Sequence, residues 1–207
     1  MKHIADYLAE AITVIDCLNH SAISELVTHL QRVRERCGRL FVLGVGGSAA
    51  HATHAASDFR CLCGIEAYAA CDNVAELTAL TNDEGWAATF MLWLQHSRLT
   101  RNDLVYVFSV GGGDEIRNVS PNLVSALNYA KEQGTPIIGV VGRNGGYTAH
   151  VADAVVIIPT VNPTRVTFHV EGLQMVLHHL LVSHPGLQVT DTKWEGLAKK
   201  GGNDADA

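Results

Sequence analysis

His51, His54 and Asp58 recur at spacings of three and four, which places them on one face of any helix that contains them. An imidazole and a carboxylate one turn apart can bind a metal ion or work as an acid/base pair. The same stripe can also be a plain solvent-facing polar face. His169, Glu171, His178 and His179 repeat the theme later in the chain, with Glu171 and His178 seven residues apart on one face. Their neighbours Leu173, Val176, Leu177, Leu180 and Leu181 are apolar, so this second helix is expected to be largely buried. A buried carboxylate or imidazole needs a partner. The two polar clusters are therefore expected to meet.

Two glycine-rich stretches offer a different chemistry. The apolar run Leu40-Phe41-Val42-Leu43 reads as a buried strand and leads through Gly44-Val45-Gly46-Gly47-Ser48 into a helical run. A strand that passes through glycines into a helix presents free N–H groups at the helix N-terminus, a ready site for phosphate. The pattern also fits a simple tight turn. Ser48 can cap the helix or donate its hydroxyl to the same anion. Ser109-Val110-Gly111-Gly112-Gly113-Asp114 is a second such turn, and its serine suits phosphate. Asp114 would repel a bound dianion, so it is expected to cap the following helix and point away. Asn82-Asp83-Glu84-Gly85 reads as a helix cap and turn. Arg143, near Gly145-Gly146, is either a further anion contact or a loop-surface residue.

These groups need elements to hold them. Ile4, Leu8, Ile12, Ile15 and Leu18, then Ile23, Leu26, Val27, Leu30 and Val33, recur at helical spacing and predict two amphipathic helices ahead of the first strand. After that strand the spacing predicts a helix over 49–63, a strand over 65–70 and two helices over 74–80 and 85–98. A strand at 104–108, a helix at 120–133, a strand at 136–141 and a short helix at 147–151 follow. A strand at 154–158 and a long helix at 167–183 complete the pattern, with a polar tail, expected to be disordered from Trp194, at its end. Strands alternating with helices predict an α/β three-layer sandwich around a five-stranded parallel sheet of flavodoxin-like order, preceded by the helical pair. Residues 1–190 are read as one domain and 191–207 as tail. Both glycine turns are expected at the carboxyl edge of the sheet, where such folds bind ligands.

Composition bounds the function. The 207 residues are 47% hydrophobic, enough for one substantial core, and the net charge is −6. With no basic run, a nucleic-acid surface or polybasic membrane anchor is not expected. No apolar run approaches the roughly 18 residues of a membrane span, and the first residues lack signal-peptide form. Cys17, Cys37, Cys61, Cys63 and Cys71 are odd in number and contain no Cys-x-x-Cys, which suits reduced thiols in cytoplasm.

The order of these motifs resembles the SIS (sugar isomerase) domain, and within it the phosphoheptose isomerase family. The resemblance is carried by Gly44-Val45-Gly46-Gly47-Ser48, His54 with Asp58, Asn82-Asp83-Glu84-Gly85, Ser109-Val110-Gly111-Gly112 and the last long helix, and runs to about His184. It implies a homotetramer that isomerises sedoheptulose 7-phosphate to an aldoheptose 7-phosphate, with active sites at subunit contacts and, in some members, zinc. It implies Val45, Gly46, Gly47 and Ser48 as a substrate loop, Asn82 and Asp83 as a substrate-contacting pair, and Ser109, Val110, Gly111 and Asp114 as the phosphate loop. Asp58 is implied as base and His178 as acid; His54, Asp58 and His178 are implied as metal ligands. The departures are Val45 for Asn, Asp58 for Glu, Gly111 and Asp114 for two serines, and Val170 for a Gln ligand, a place for which His169 or Glu171 is the candidate substitute. A non-catalytic SIS module that binds a sugar phosphate or a protein, as relatives that bind the bacterial replication initiator do, is the alternative.

Overall fold

The computed structural model describes residues 1–200. Two helices, α1 (Lys2–Asp16) and α2 (His20–Glu35), precede β1 (Leu40–Leu43). Then come α3 (Gly47–Cys63), β2 (Ala67–Ala69), α4 (Val74–Glu84), α5 (Thr89–His96) and β3 (Leu104–Ser109). The series ends with α6 (Pro121–Glu132), β4 (Ile137–Val141), α7 (Gly146–Val151), β5 (Ala154–Ile157), α8 (Val166–Val182) and α9 (Lys193–Lys200). The five strands pair in parallel in the order β2-β1-β3-β4-β5, the flavodoxin-like arrangement expected.

Strand alternation sorts the core into two layers. Leu40, Val42, Tyr106, Phe108, Ile138 and Val140 face the side covered by α2, α3 and α8. Phe41, Leu43, Val105, Val107, Ile137 and Val141 face the side covered by α5 and α6. The central strands are buried on both faces, which is why they read as continuous apolar runs. Helix α3 starts at Gly46 with φ +64 and ends at Gly64 with φ +62, both conformations that suit glycine.

Of the boundaries that differ from the sequence reading, α5 shortens to Thr89–His96 from 85–98, and three others bear on the reading of the chain. The strand expected over 65–70 is only Ala67–Ala69 at the sheet edge. Asn82, Asp83 and Glu84 form the last turn of α4, and the chain breaks only at Gly85, φ +82. The polar stretch from Trp194, expected to be disordered, carries α9 at Lys193–Lys200, while 201–207 lie outside the described residues.

Candidate active site

The first glycine turn and the start of α8 meet at the carboxyl edge of the sheet. A Cβ at Gly47 would lie 2.7 Å from the Glu171 carboxylate, so the missing side chain is what lets Glu171 rest there. Ser48 is buried, and its hydroxyl donates to Gln174 Oε1 at 3.0 Å. That hydrogen is spent inside the fold: of the two roles open to Ser48 in the sequence, it makes no cap bond to α3, and its hydroxyl is turned to Gln174 and not outward to an anion. Val45 stands 38% exposed in the turn ahead of Gly46 and Gly47.

Further down α3 the two polar clusters meet, as expected. Asp58 Oδ2 accepts from His178 Nε2 at 2.8 Å and lies 3.2 Å from His54 Nε2. His179 completes the group: the ligand atoms of His54, Asp58, His178 and His179 all lie within 4.8 Å of one another. Packing explains the placement, since α3 and α8 both bury their other faces on the sheet and turn this seam to each other. His178 is fully enclosed, and its Nδ1 has no hydrogen-bond partner among the described residues. Burial lowers its pKa to about 4, against the opposing pull of the bond to Asp58. The ring is therefore neutral at neutral pH, and the Nε2 hydrogen points at the carboxylate. A cavity of about 410 Å³ opens beside the pair, lined by Asp58, Leu62, His179 and Leu180 among others.

His169 and Glu171 do not join this group. His169 Nε2 donates to Glu10 Oε2 at 2.9 Å and its ring stacks on Tyr7. Glu10, also bonded by Asn162 and Arg165, is held well below the usual carboxylate range at about 2, first by the His169 hydrogen bond. The fourth member of this group is thus His179, the exposed neighbour of His178, and not a residue two turns earlier. Three imidazoles and one carboxylate match in type and number the donors that hold zinc.

The second glycine turn is welded to the loop after β4. Ser109 Oγ accepts from Gly112 N at 3.0 Å, and the Gly112 carbonyl accepts from Thr148 N and Oγ1. Gly142 packs where any Cβ would strike Val110 O and Val170, so Val110 and the head of α8 both close on that glycine, while a Cβ at Gly111 would meet only the Arg143 side chain. Asp114 does not cap the next helix: its Oδ1 accepts from Arg117 N and its backbone pairs with Val119 in a small antiparallel bridge. Ser120, not singled out from the sequence, opens α6 in a left-handed conformation, ahead of Pro121. The Ser-Pro dipeptide is the signal that could have placed it. Asn82 and Asp83 are exposed and bonded to each other at 2.8 Å, not brought into the His–Asp group.

A five-stranded parallel sheet with glycine turns at its carboxyl edge and a His–Asp group beneath them defines a class, and sequence comparison agrees with it. The SIS domain matches residues 5–142, and the chain belongs to that family. Within it the chain is a phosphoheptose-isomerase-like member. It is 30% identical over 184 residues to a phosphoheptose isomerase of Trichlorobacter lovleyi, covering 86% of this chain and 88% of that one. It is 32% identical over 158 residues to a lincomycin biosynthesis protein of Streptomyces lincolnensis, 71% of this chain but only 56% of that protein. The structure of a phosphoheptose isomerase from Neisseria gonorrhoeae superposes with a TM-score of 0.75 at 23% identity, covering 87% of this chain and 96% of that one.

Proposed function

We propose that the protein is a sugar-phosphate isomerase that interconverts a ketose and an aldose, with sedoheptulose 7-phosphate to a heptose 7-phosphate as its first candidate reaction. The observation that carries this reading is the Asp58–His178 pair, a carboxylate anchored through one oxygen by a buried neutral imidazole. The names of the curated relatives support the substrate class.

Moving a proton between adjacent carbons through an enediol needs one group at the C–H bond and another for the oxygen proton. Asp58 is the base. Its Oδ2 takes both imidazole contacts, which leaves Oδ1 to meet the substrate. His178, the acid implied by the family resemblance, is enclosed and donates to Asp58, so here it works by orienting that carboxylate. Neutral imidazole in this role orients the carboxylate without adding a positive charge beside it. The phosphate is assigned to the backbone amides of the Ser109–Gly113 turn other than that of Gly112, which donates to Ser109 Oγ. A zinc ion, if bound, would be held by His54, Asp58, His178 and His179 and would supply Lewis-acid polarisation of a sugar oxygen. We further assign the molecule as a homotetramer acting in the cytoplasm.

Incubation with sedoheptulose 7-phosphate and a panel of ketose phosphates, followed by NMR, tests the reading. Aldose phosphate signals are expected. Tight binding with no turnover of any ketose phosphate would replace it with a regulatory sugar-phosphate module, a reading favoured by the loss of the Ser48 hydroxyl to Gln174.

A further inference from the structure

Gln174 is fully buried at the middle of α8, and three polar contacts converge on its side chain. The Ser48 hydroxyl donates to Oε1 at 3.0 Å, and His51 Nδ1 lies 3.0 Å from the same oxygen. Gln174 Nε2 donates to the Val140 carbonyl at 3.5 Å. This last contact decides which way the amide faces. Reversed, it would set Oε1 against the Val140 oxygen, two acceptors with no hydrogen between them.

With Oε1 turned to His51, His51 Nδ1 must carry the hydrogen. In the neutral ring Nε2 then carries a lone pair. That nitrogen makes no bond among the described residues and is not one of their enclosed unpartnered atoms, so it is open to a ligand. His51 shares a helix face with His54 and Asp58 and stands between them and the glycine turn that opens α3. At about 1.5 Å per residue, His51 lies about 10 Å along the axis from Asp58, too far to serve the same carbon atoms.

We propose that His51, in its neutral form, binds a hydroxyl of an open-chain sugar phosphate by accepting at Nε2, and that Gln174 is the positioning residue that fixes this tautomer. The inference rests on the sugar-phosphate reading of the site. His51 lies on the α3 face between the glycine turn and Asp58, so a ligand that spans the two would pass it. A hydroxyl there meets a lone pair and is held; a carbonyl or ether oxygen meets lone pair against lone pair and is rejected. The wall beside the glycine turn thus selects for a polyol segment remote from the reacting carbons.

Two-bond ¹⁵N correlation spectra of the histidines at mildly alkaline pH, where imidazole is neutral, test the tautomer directly, with His51 assigned by its loss in His51→Asn. The wild type is expected to show His51 as Nδ1–H. Gln174→Glu, which keeps the acceptor, is expected to retain it, and Gln174→Leu to shift it toward Nε2–H. A wild-type ring in the Nε2–H form overturns the proposal whether or not any variant folds. So does an unchanged ring in folded Gln174→Leu. His51→Asn keeps a donor toward Gln174 and loses the outward acceptor, so KM for sedoheptulose 7-phosphate is expected to rise about tenfold with kcat changed less than about threefold. An unchanged KM removes the hydroxyl contact. If the wild type turns over no sugar phosphate, the isomerase reading fails separately, and calorimetric affinity for sedoheptulose 7-phosphate replaces KM in the same comparison.

Discussion

Asp58 has one committed oxygen and one with no partner among the described residues, and that asymmetry sets the expected effect of each substitution at the pair. Asp58→Asn keeps the shape and removes the base, and turnover of the isomerase substrate is expected to fall roughly 100-fold or more, since positioned acid–base groups contribute about 10²–10⁴. His178→Gln removes the imidazole that orients the carboxylate, with a loss of similar order in kcat and a smaller change in KM. Turnover near the wild-type value in both variants would remove Asp58 as base. His178 also makes stability depend on pH. Burial holds its folded pKa down to about 4 from an ordinary 6.5. Between those values the unfolded chain binds a proton that the folded chain refuses, so stability is full above about 6.5 and falls as pH drops toward about 4. Thermal melts of wild type are expected to show this fall and those of His178→Gln to flatten across the same window. Parallel profiles for the two proteins would assign the fall to another group.

The loops beyond β3 and β4 act as one element because glycines let their backbones touch. Gly112 has φ +74, and a Cβ there would lie 1.9 Å from the Gly145 carbonyl oxygen, a backbone atom that cannot swing aside. Gly112→Ala combines that clash with left-handed strain, and a loss of about 2–3 kcal/mol or more is expected in urea unfolding. Gly46 also has positive φ, +64, but meets nothing within 4 Å, so Gly46→Ala should cost less, about 1 kcal/mol. Equal losses would mean that the close approach between the loops does not matter. The sheet and its order were legible in the sequence because β1, β3 and β4 are apolar on both faces and each ends in glycines. The meeting of His54 and Asp58 with His178 was legible from helical spacing. The roles of Gln174 and His179 were not, since a glutamine and an extra histidine on an apolar helix carry no periodic signal until α3 is packed against it. His169 and Glu171 were misplaced for the same reason: which way α8 turns depends on α1, whose Glu10 claims His169. Asp114 was misread because a bridge between residues five apart leaves no pattern in composition.

At the scale of the whole molecule, two helices carry apolar faces that the single chain leaves uncovered. In α1, Glu10 ties the inner face to Asn162, Arg165 and His169, and Val14 is buried. The outer face carries Ile4, Leu8, Ile12 and Ile15, which are 63%, 57%, 61% and 44% exposed. On α8, Phe168, Val176 and Leu180 stand at spacings of eight and four with Gly172 between them, 63%, 47% and 41% exposed. Contiguous apolar stripes of this kind mark association surfaces. The α8 stripe borders the active-site seam, for Leu180 and His179 both line the cavity that opens on Asp58. A second chain seated there would close the site and exclude water from the carboxylate, which strengthens the charge interactions on which proton transfer depends. Assembly and turnover are therefore expected to fail together. Wild type should scatter light as a tetramer at micromolar concentration, while Leu8→Glu with Ile12→Glu, and separately Val176→Glu, should give smaller species. Val176→Glu should also lose isomerase turnover, although its side chain lies outside the His–Asp group. A wild-type monomer would remove the assembly, and a fully active Val176→Glu monomer would show that one chain forms the site unaided.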